Sequence, residues 1–184
     1  MYHKKTILIT GASSGLGRTI AETYAKNGGR IINISRDISK MSSLQNILHQ
    51  INSCDHLYFS ADVSNYKHIR NIQNTLHKKN IYPDVVINNA AGNFLCPFNK
   101  LSENGWKRII DIVLHGSFNI YHIFGKHLIE KGKPGVFLNV STTYSETGSA
   151  LVIPSAAAKA GVDNLMRGLT VECSPYIIRL VGIA

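Results

Sequence analysis

Cysteine is scarce in this sequence. The 184 residues contain three, Cys54, Cys96 and Cys173. They lie far apart, and no pair has the spacing of a metal clip or a redox dithiol, so no metal site is expected. An odd, scattered count argues for a reducing compartment, the cytoplasm, and for thiols that merely pack. Long apolar runs are also missing. None reaches the ~18 residues that a membrane-spanning helix needs, which excludes a bilayer span. The first apolar run, Thr6–Thr10, passes straight into glycine, so the N-terminus does not read as a signal peptide. Acidic residues are few, 11 against 20 Lys and Arg, for a net charge of +9. The basic residues are dispersed, in clusters no longer than Lys78-Lys79 or Lys131/Lys133. Without a basic run or a basic stripe interleaved with aromatics, a nucleic-acid partner is not expected. A polyphosphate ligand would use a few of these charges equally well. Repeats, linkers and low-complexity segments are absent too.

What is present suits one globular domain over 1–184. Hydrophobic residues make up 44% of the chain, enough for a sizeable core. Short apolar runs alternate with helical patterns. Strands are expected at 6–10, 31–34, 57–61, 85–88, 135–141 and 177–183. Leu16, Ile20 and Tyr24 mark a first helix, which Asn27-Gly28-Gly29 stops. Further helices are expected at 39–51, around Ile69, Ile72 and Leu76, from Ser102 to about Lys131, and at 155–173. This alternation predicts βαβ units, a doubly wound parallel α/β sheet in three αβα layers. The long helix is apolar on more than one side, from Trp106 through Ile129. One side would pack on the sheet. The other would pack on neighbouring helices or on a second subunit, giving a homodimer or homotetramer.

The turn after the first strand reads Thr10-Gly11-Ala12-Ser13-Ser14-Gly15-Leu16-Gly17. Glycines there let the backbone turn sharply and approach a pyrophosphate, and the following helix offers free N–H groups. Ser13 and Ser14 add hydroxyl donors. Arg36 stands at the tip of the second strand, where a carboxylate would bond a ribose 2′-hydroxyl and an arginine pairs with a 2′-phosphate. This favours NADP over NAD, with Arg18 as possible support. Asp37, one residue later, argues the other way unless it is a surface carboxylate. Asp62, after the third strand, is placed to meet the adenine edge. Asn88-Asn89-Ala90-Ala91-Gly92 ends the fourth strand with small residues, as a cofactor passing closely would require.

Together these residues resemble the short-chain dehydrogenase/reductase family, with Ser141 after the fifth strand and Lys159 on the last helix. The family's Tyr four residues before that Lys is Ser155 here. The stretches Asn88–Phe94 and Ser141–Gly161 resemble the 2,4-dienoyl-CoA reductase subfamily, which also has Ser at that position and a Tyr further upstream, here Tyr144. The resemblance implies hydride transfer from NADPH to a 2,4-dienoyl-CoA thioester. It implies that Tyr144 and Asn93 donate hydrogen bonds to the developing dienolate oxygen. Lys159 would hold the nicotinamide ribose, Ser155 would position Lys159 or a proton-donating water, and Phe94 would line the acyl groove. Gly11, Ser13, Ser14, Gly15, Leu16, Gly17, Arg36, Asp62, Asn89, Ala90 and Lys159 are the expected cofactor residues. His115 stands where the family often has an Asn that supports a water chain to the Lys. Family members continue beyond the sixth strand, so the chain reads as C-terminally incomplete, without the last strand. Two alternatives stand beside this reading: a truncated, non-catalytic NADP-binding module, and another short-chain carbonyl or enoyl reductase.

Overall fold

The computed structural model describes residues 5–184, so Met1 to Lys4 of the expected domain lie outside the described residues. Six strands form one parallel sheet: β1 (Thr6–Thr10), β2 (Arg30–Ser35), β3 (Leu57–Ser60), β4 (Val85–Asn88), β5 (Gly135–Val140) and β6 (Ile178–Ile183). Their order is β3-β2-β1-β4-β5-β6. The chain therefore winds outward from β1 to β3, then returns to the other side of β1. In such sheets a crevice opens at the carboxyl ends of the strands where the order reverses, here between β1 and β4.

Alternate residues of a strand face opposite sides of the sheet. In β1, Ile7 and Ile9 enter one core with Ala21 and Ala25 of α1 (Gly15–Lys26) and Leu44 and Leu48 of α2 (Ile38–Ile51). Leu8 faces the other way, into a larger core with Ile69, Ile72 and Leu76 of α3 (Tyr66–Lys78). Burial on both faces explains why the strands read as continuous apolar runs instead of alternating ones.

The long helical stretch is not one α-helix. α4 (Glu103–Ile110) passes into a π-helical turn (Asp111–His115), α5 (Gly116–Ile120), a second π turn (Tyr121–Gly125) and α6 (Lys126–Glu130). Periodicity alone does not reveal these turns, because each adds a residue without breaking the apolar pattern. Val113, Ile120, Phe124 and Leu128 enter the larger core, joined by Ala158 and Val162 of the last helix, residues 153–173. Much of both apolar sides is thus covered within the chain. Three short elements lie outside the sequence pattern, one of them a 3₁₀ turn at Ser174–Tyr176. Another 3₁₀ turn occupies Phe98–Lys100, and α7 (Tyr144–Thr147) is a single helical turn. α8 (Ile153–Cys173) starts two residues earlier than its sequence pattern, with Pro154 in its first turn, a position where proline's missing N–H costs nothing. No helix among the described residues is long and apolar enough to cross a membrane.

Candidate active site

A cleft of about 660 Å³ opens where the strand order reverses. Gly11, Ser13, Ser14, Leu16 and Gly17 line its middle, Arg36 and Asp62 one end, and Asn89 and Ala90 the wall beyond. Gly15 and Lys159 are not part of that lining. Backbone geometry explains the glycines. Gly11 has φ +72°, and a Cβ on it would lie 3.0 Å from Ala90 Cα. A Cβ on Gly17 would come within 2.5 Å of both Gly11 O and Asn89 Nδ2. Thr10 locks the two turns together: its Oγ1 accepts from the N–H groups of Asn89 (3.0 Å) and Ala90 (2.9 Å). In return, Asn89 Nδ2 donates to Thr10 O (3.0 Å). The Ser14 side chain makes no capping hydrogen bond to α1, and the first turn of α1 has no acidic residue. Its leading N–H groups and the positive end of its dipole therefore face the cleft without a side-chain competitor. An elongated, glycine-floored cleft with free N–H groups at its centre and a guanidinium at one end fits a dinucleotide.

The charges at that end are ordered. Burial works to raise the Asp62 pKa, but hydrogen bonds from Ser64 Oγ (2.7 Å) and Ser64 N (3.0 Å), with the nearby Arg108 and Arg36 charges, hold it below the usual carboxylate range. Arg108 lies 3.3 Å and Arg36 4.0 Å from the same Asp62 oxygen. One carboxylate thus serves two guanidinium groups, which leaves positive charge in excess. Asp37 is the N-cap of α2: it accepts from Lys40 N (3.0 Å) and Ser39 Oγ (2.7 Å), which lowers its pKa. Its Oδ1 is engaged by its own helix and its Oδ2 lies 3.5 Å from Lys40 Nζ, although the residue also lines the cleft.

The second cluster centres on α8. Ser155 is buried, and its hydroxyl lies 3.2 Å from Tyr144 Oη. One turn further, the buried Lys159 donates from Nζ to Val140 O at the end of β5. Burial lowers the Lys159 pKa, and the Asp163 charge works against that shift. Asp163 was not singled out from sequence, although it follows Lys159 by four residues and so shares its helix face. Its carboxylate accepts from Ser141 Oγ at 2.8 and 2.7 Å and from Asn139 Nδ2 at 3.3 Å. His115 pairs instead with Asp111 (2.9 Å) and is exposed, so it is not a hydrogen-bond partner of Lys159. Asn119, also unforeseen, is buried and donates to Val63 O (2.9 Å), fixing the loop after β3.

Asn93 and Phe94 lie on the exposed loop after β4. Asn93 Oδ1 accepts from Phe94 N (2.9 Å), which leaves the amide nitrogen as a donor. Asn93 makes no hydrogen bond to Tyr144, Ser155 or Lys159. The two loops are nevertheless joined, because Cys96 N donates to Leu151 O (2.8 Å) just before α8. Leu151 takes φ +67°, a left-handed conformation that costs a non-glycine residue roughly 1–2 kcal/mol. Phe94, Leu95, Phe98, Leu151 and Ile153 are all exposed around this junction, an apolar rim beside the polar cluster.

A family model described as short chain dehydrogenase matches residues 5–184. A Bacillus subtilis protein named "Probable 2,4-dienoyl-CoA reductase" is 38% identical over 98% of this chain and 71% of its own length. The rat "Peroxisomal 2,4-dienoyl-CoA reductase" is 35% identical over 98% of this chain and 61% of its own length. The crystal structure of a short chain dehydrogenase from Bacillus anthracis superposes with a TM-score of 0.92 at 39% identity, covering 98% of this chain and 75% of that one. The chain spans 58–71% of the length of the first curated relatives it matches. With the sheet order, the glycine-floored cleft and the match over residues 5–184 in hand, the chain belongs to the short-chain dehydrogenase/reductase family and is similar to its 2,4-dienoyl-CoA reductases.

Proposed function

We propose that this chain carries the site for NADPH-dependent reduction of 2,4-dienoyl-CoA thioesters to enoyl-CoA. The observation that carries the reading is the Tyr144–Ser155 contact of 3.2 Å. Ser155 occupies the position four residues before Lys159, and its hydroxyl holds the phenol of Tyr144 beside the same helix face. When bound, the nicotinamide supplies a hydride to the far end of the conjugated acyl group. The electron pair then moves along the conjugated chain to the thioester oxygen. Tyr144 Oη and the free amide nitrogen of Asn93 are the donors for that oxygen, and such donors act most strongly where charge develops. A proton from a water molecule then adds to the α-carbon, which completes the reduction. Lys159, buried and anchored to Val140 O, holds the nicotinamide ribose. Arg36 takes the 2′-phosphate, a role supported by the engagement of Asp37 as a helix cap. Phe94 and the apolar rim around it receive the acyl chain. The CoA thioester is thus the small-molecule partner, and the protein works as a homodimer or homotetramer.

The arrangement makes Ser155 a positioning residue for Tyr144. Tyr144→Phe keeps the ring and removes the donor, so turnover should fall by about 10²–10³, the usual loss for one oxyanion donor, with cofactor affinity near normal. Ser155→Ala should cost less in turnover, since Tyr144 keeps its hydroxyl. The opposite ranking, Tyr144→Phe silent and Ser155→Ala inactive, would reject the assignment.

A further inference from the structure

A second polar cleft, of about 310 Å³, runs between α3 and the π turn and α6 of the long helical stretch. None of its lining residues lines the cleft at the strand ends. These helical segments close on apolar side chains in the core, and beside that contact they present Arg70 and His77 on one side and His122, Lys126, His127 and Lys131 on the other. The charges are not balanced. Glu130 is the one acid in the lining, and it meets Lys126 only at 3.8 Å, with both side chains largely exposed. Among the described residues, neither Arg70 nor Lys131 has a carboxylate within ion-pair distance.

The imidazoles are held in place. His77 Nδ1 lies 3.1 Å from Tyr82 Oη, and His122 Nδ1 lies 3.0 Å from Tyr66 Oη. His127 is stacked on Tyr82, with centroids 5.4 Å apart, and meets His77 edge-on at 4.9 Å. Its Nε2 is buried and has no hydrogen-bond partner. The Nε2 atoms of His77 and His122 likewise have no partner among the described residues. Arg70, Lys131 and the imidazoles thus line one cleft whose other polar residues include Gln73, Asn74, Lys126 and the single acid Glu130, so positive charge outweighs negative there. A guanidinium, an ammonium and imidazole N–H groups together match an oxyanion with several acceptor oxygens and more than one negative charge.

We propose that this cleft binds a phosphoryl group, with Arg70 and Lys131 as its charge partners and His77 and His122 as supporting donors.

The probe is inorganic phosphate, titrated calorimetrically into the full chain at fixed ionic strength, with chloride as the control. The cleft at the strand ends would also accept phosphate, so the same titration is run on Arg36→Ala. Binding should survive Arg36→Ala. It should weaken by at least about tenfold in the double variant Arg70→Gln/Lys131→Gln, and recover in Arg70→Lys/Lys131→Arg, which restores the charges. Phosphate should also shift the histidine ring proton resonances of His77 and His122. Wild-type affinity in the double Gln variant would overturn the proposal. So would loss of binding in Arg36→Ala alone, or no binding beyond the chloride control. The substituted side chains lie on the surface, so folding of the variants is not at issue, and a matched circular dichroism spectrum checks it.

Discussion

Arg36 is the side chain on which the proposed preference for NADPH rests. Its guanidinium lines the cleft and shares Asp62 with Arg108, so its charge is only partly spent. A 2′-phosphate would claim the rest. A hydrogen bond to a charged group contributes ~1.5–3 kcal/mol, and exposure to solvent moves Arg36 to the low end. Arg36→Ala should therefore weaken NADPH by roughly tenfold and leave NADH unchanged, as measured by fluorescence titration of both. Equal loss for both cofactors would remove Arg36 from the specificity role. Legibility at this scale followed sequence distance. The glycine turn, Arg36 and the Ser155–Lys159 pair lie in short motifs and were readable. Thr10 bonding to Asn89 and Ala90, or Asn119 to Val63, depends on partners 56 to 80 residues away, which no local pattern encodes. Asp163 was within reach of the helical spacing from Lys159. Its partners on β5 and just after it, Asn139 and Ser141, became visible only with the sheet.

Among the elements, β2 carries an acid-sensitive joint. His56 is buried, and its Nδ1 accepts the backbone N–H of Ile31 at 3.0 Å. Burial, with help from the nearby His49 and Arg30, pushes its pKa down to about 4 from an ordinary 6.5. In the unfolded chain His56 takes up its proton near the ordinary value. The folded chain does so only well below it. Between these values the unfolded state binds more protons, so stability rises with pH across the window and falls on acidification. Urea unfolding at pH 7 and at pH 5 should show a loss on the order of 1–2 kcal/mol at the lower pH. His56→Gln, which retains an acceptor for Ile31, should flatten that part of the profile, and an unchanged slope would acquit His56. Strand and helix positions were legible because apolar runs and helical spacing are local properties. The π turns and α7 were not, since their hydrogen-bond shifts leave the residue pattern intact.

For the whole molecule, the remaining exposed apolar surface bears on assembly. Trp106 and Phe118 stay about two-fifths exposed on the long helical stretch. A neighbouring groove of about 640 Å³ is lined by Ile129, Leu169, Cys173 and Leu180. Apolar surface of this kind favours a symmetric self-contact. Light scattering at micromolar concentration should give twice or four times the mass of one chain, and a stable monomer would contradict this. Reduction of a conjugated dienoyl thioester is tested most directly by mixing the protein with NADPH and a short 2,4-dienoyl-CoA while following the absorbance of both. The two signals should fall together in equal amounts, and a simple ketone in place of the thioester should leave NADPH untouched. Consumption of NADPH with the ketone and not with the dienoyl-CoA would contradict dienoyl thioester reduction, as would tight NADPH binding with no turnover of either.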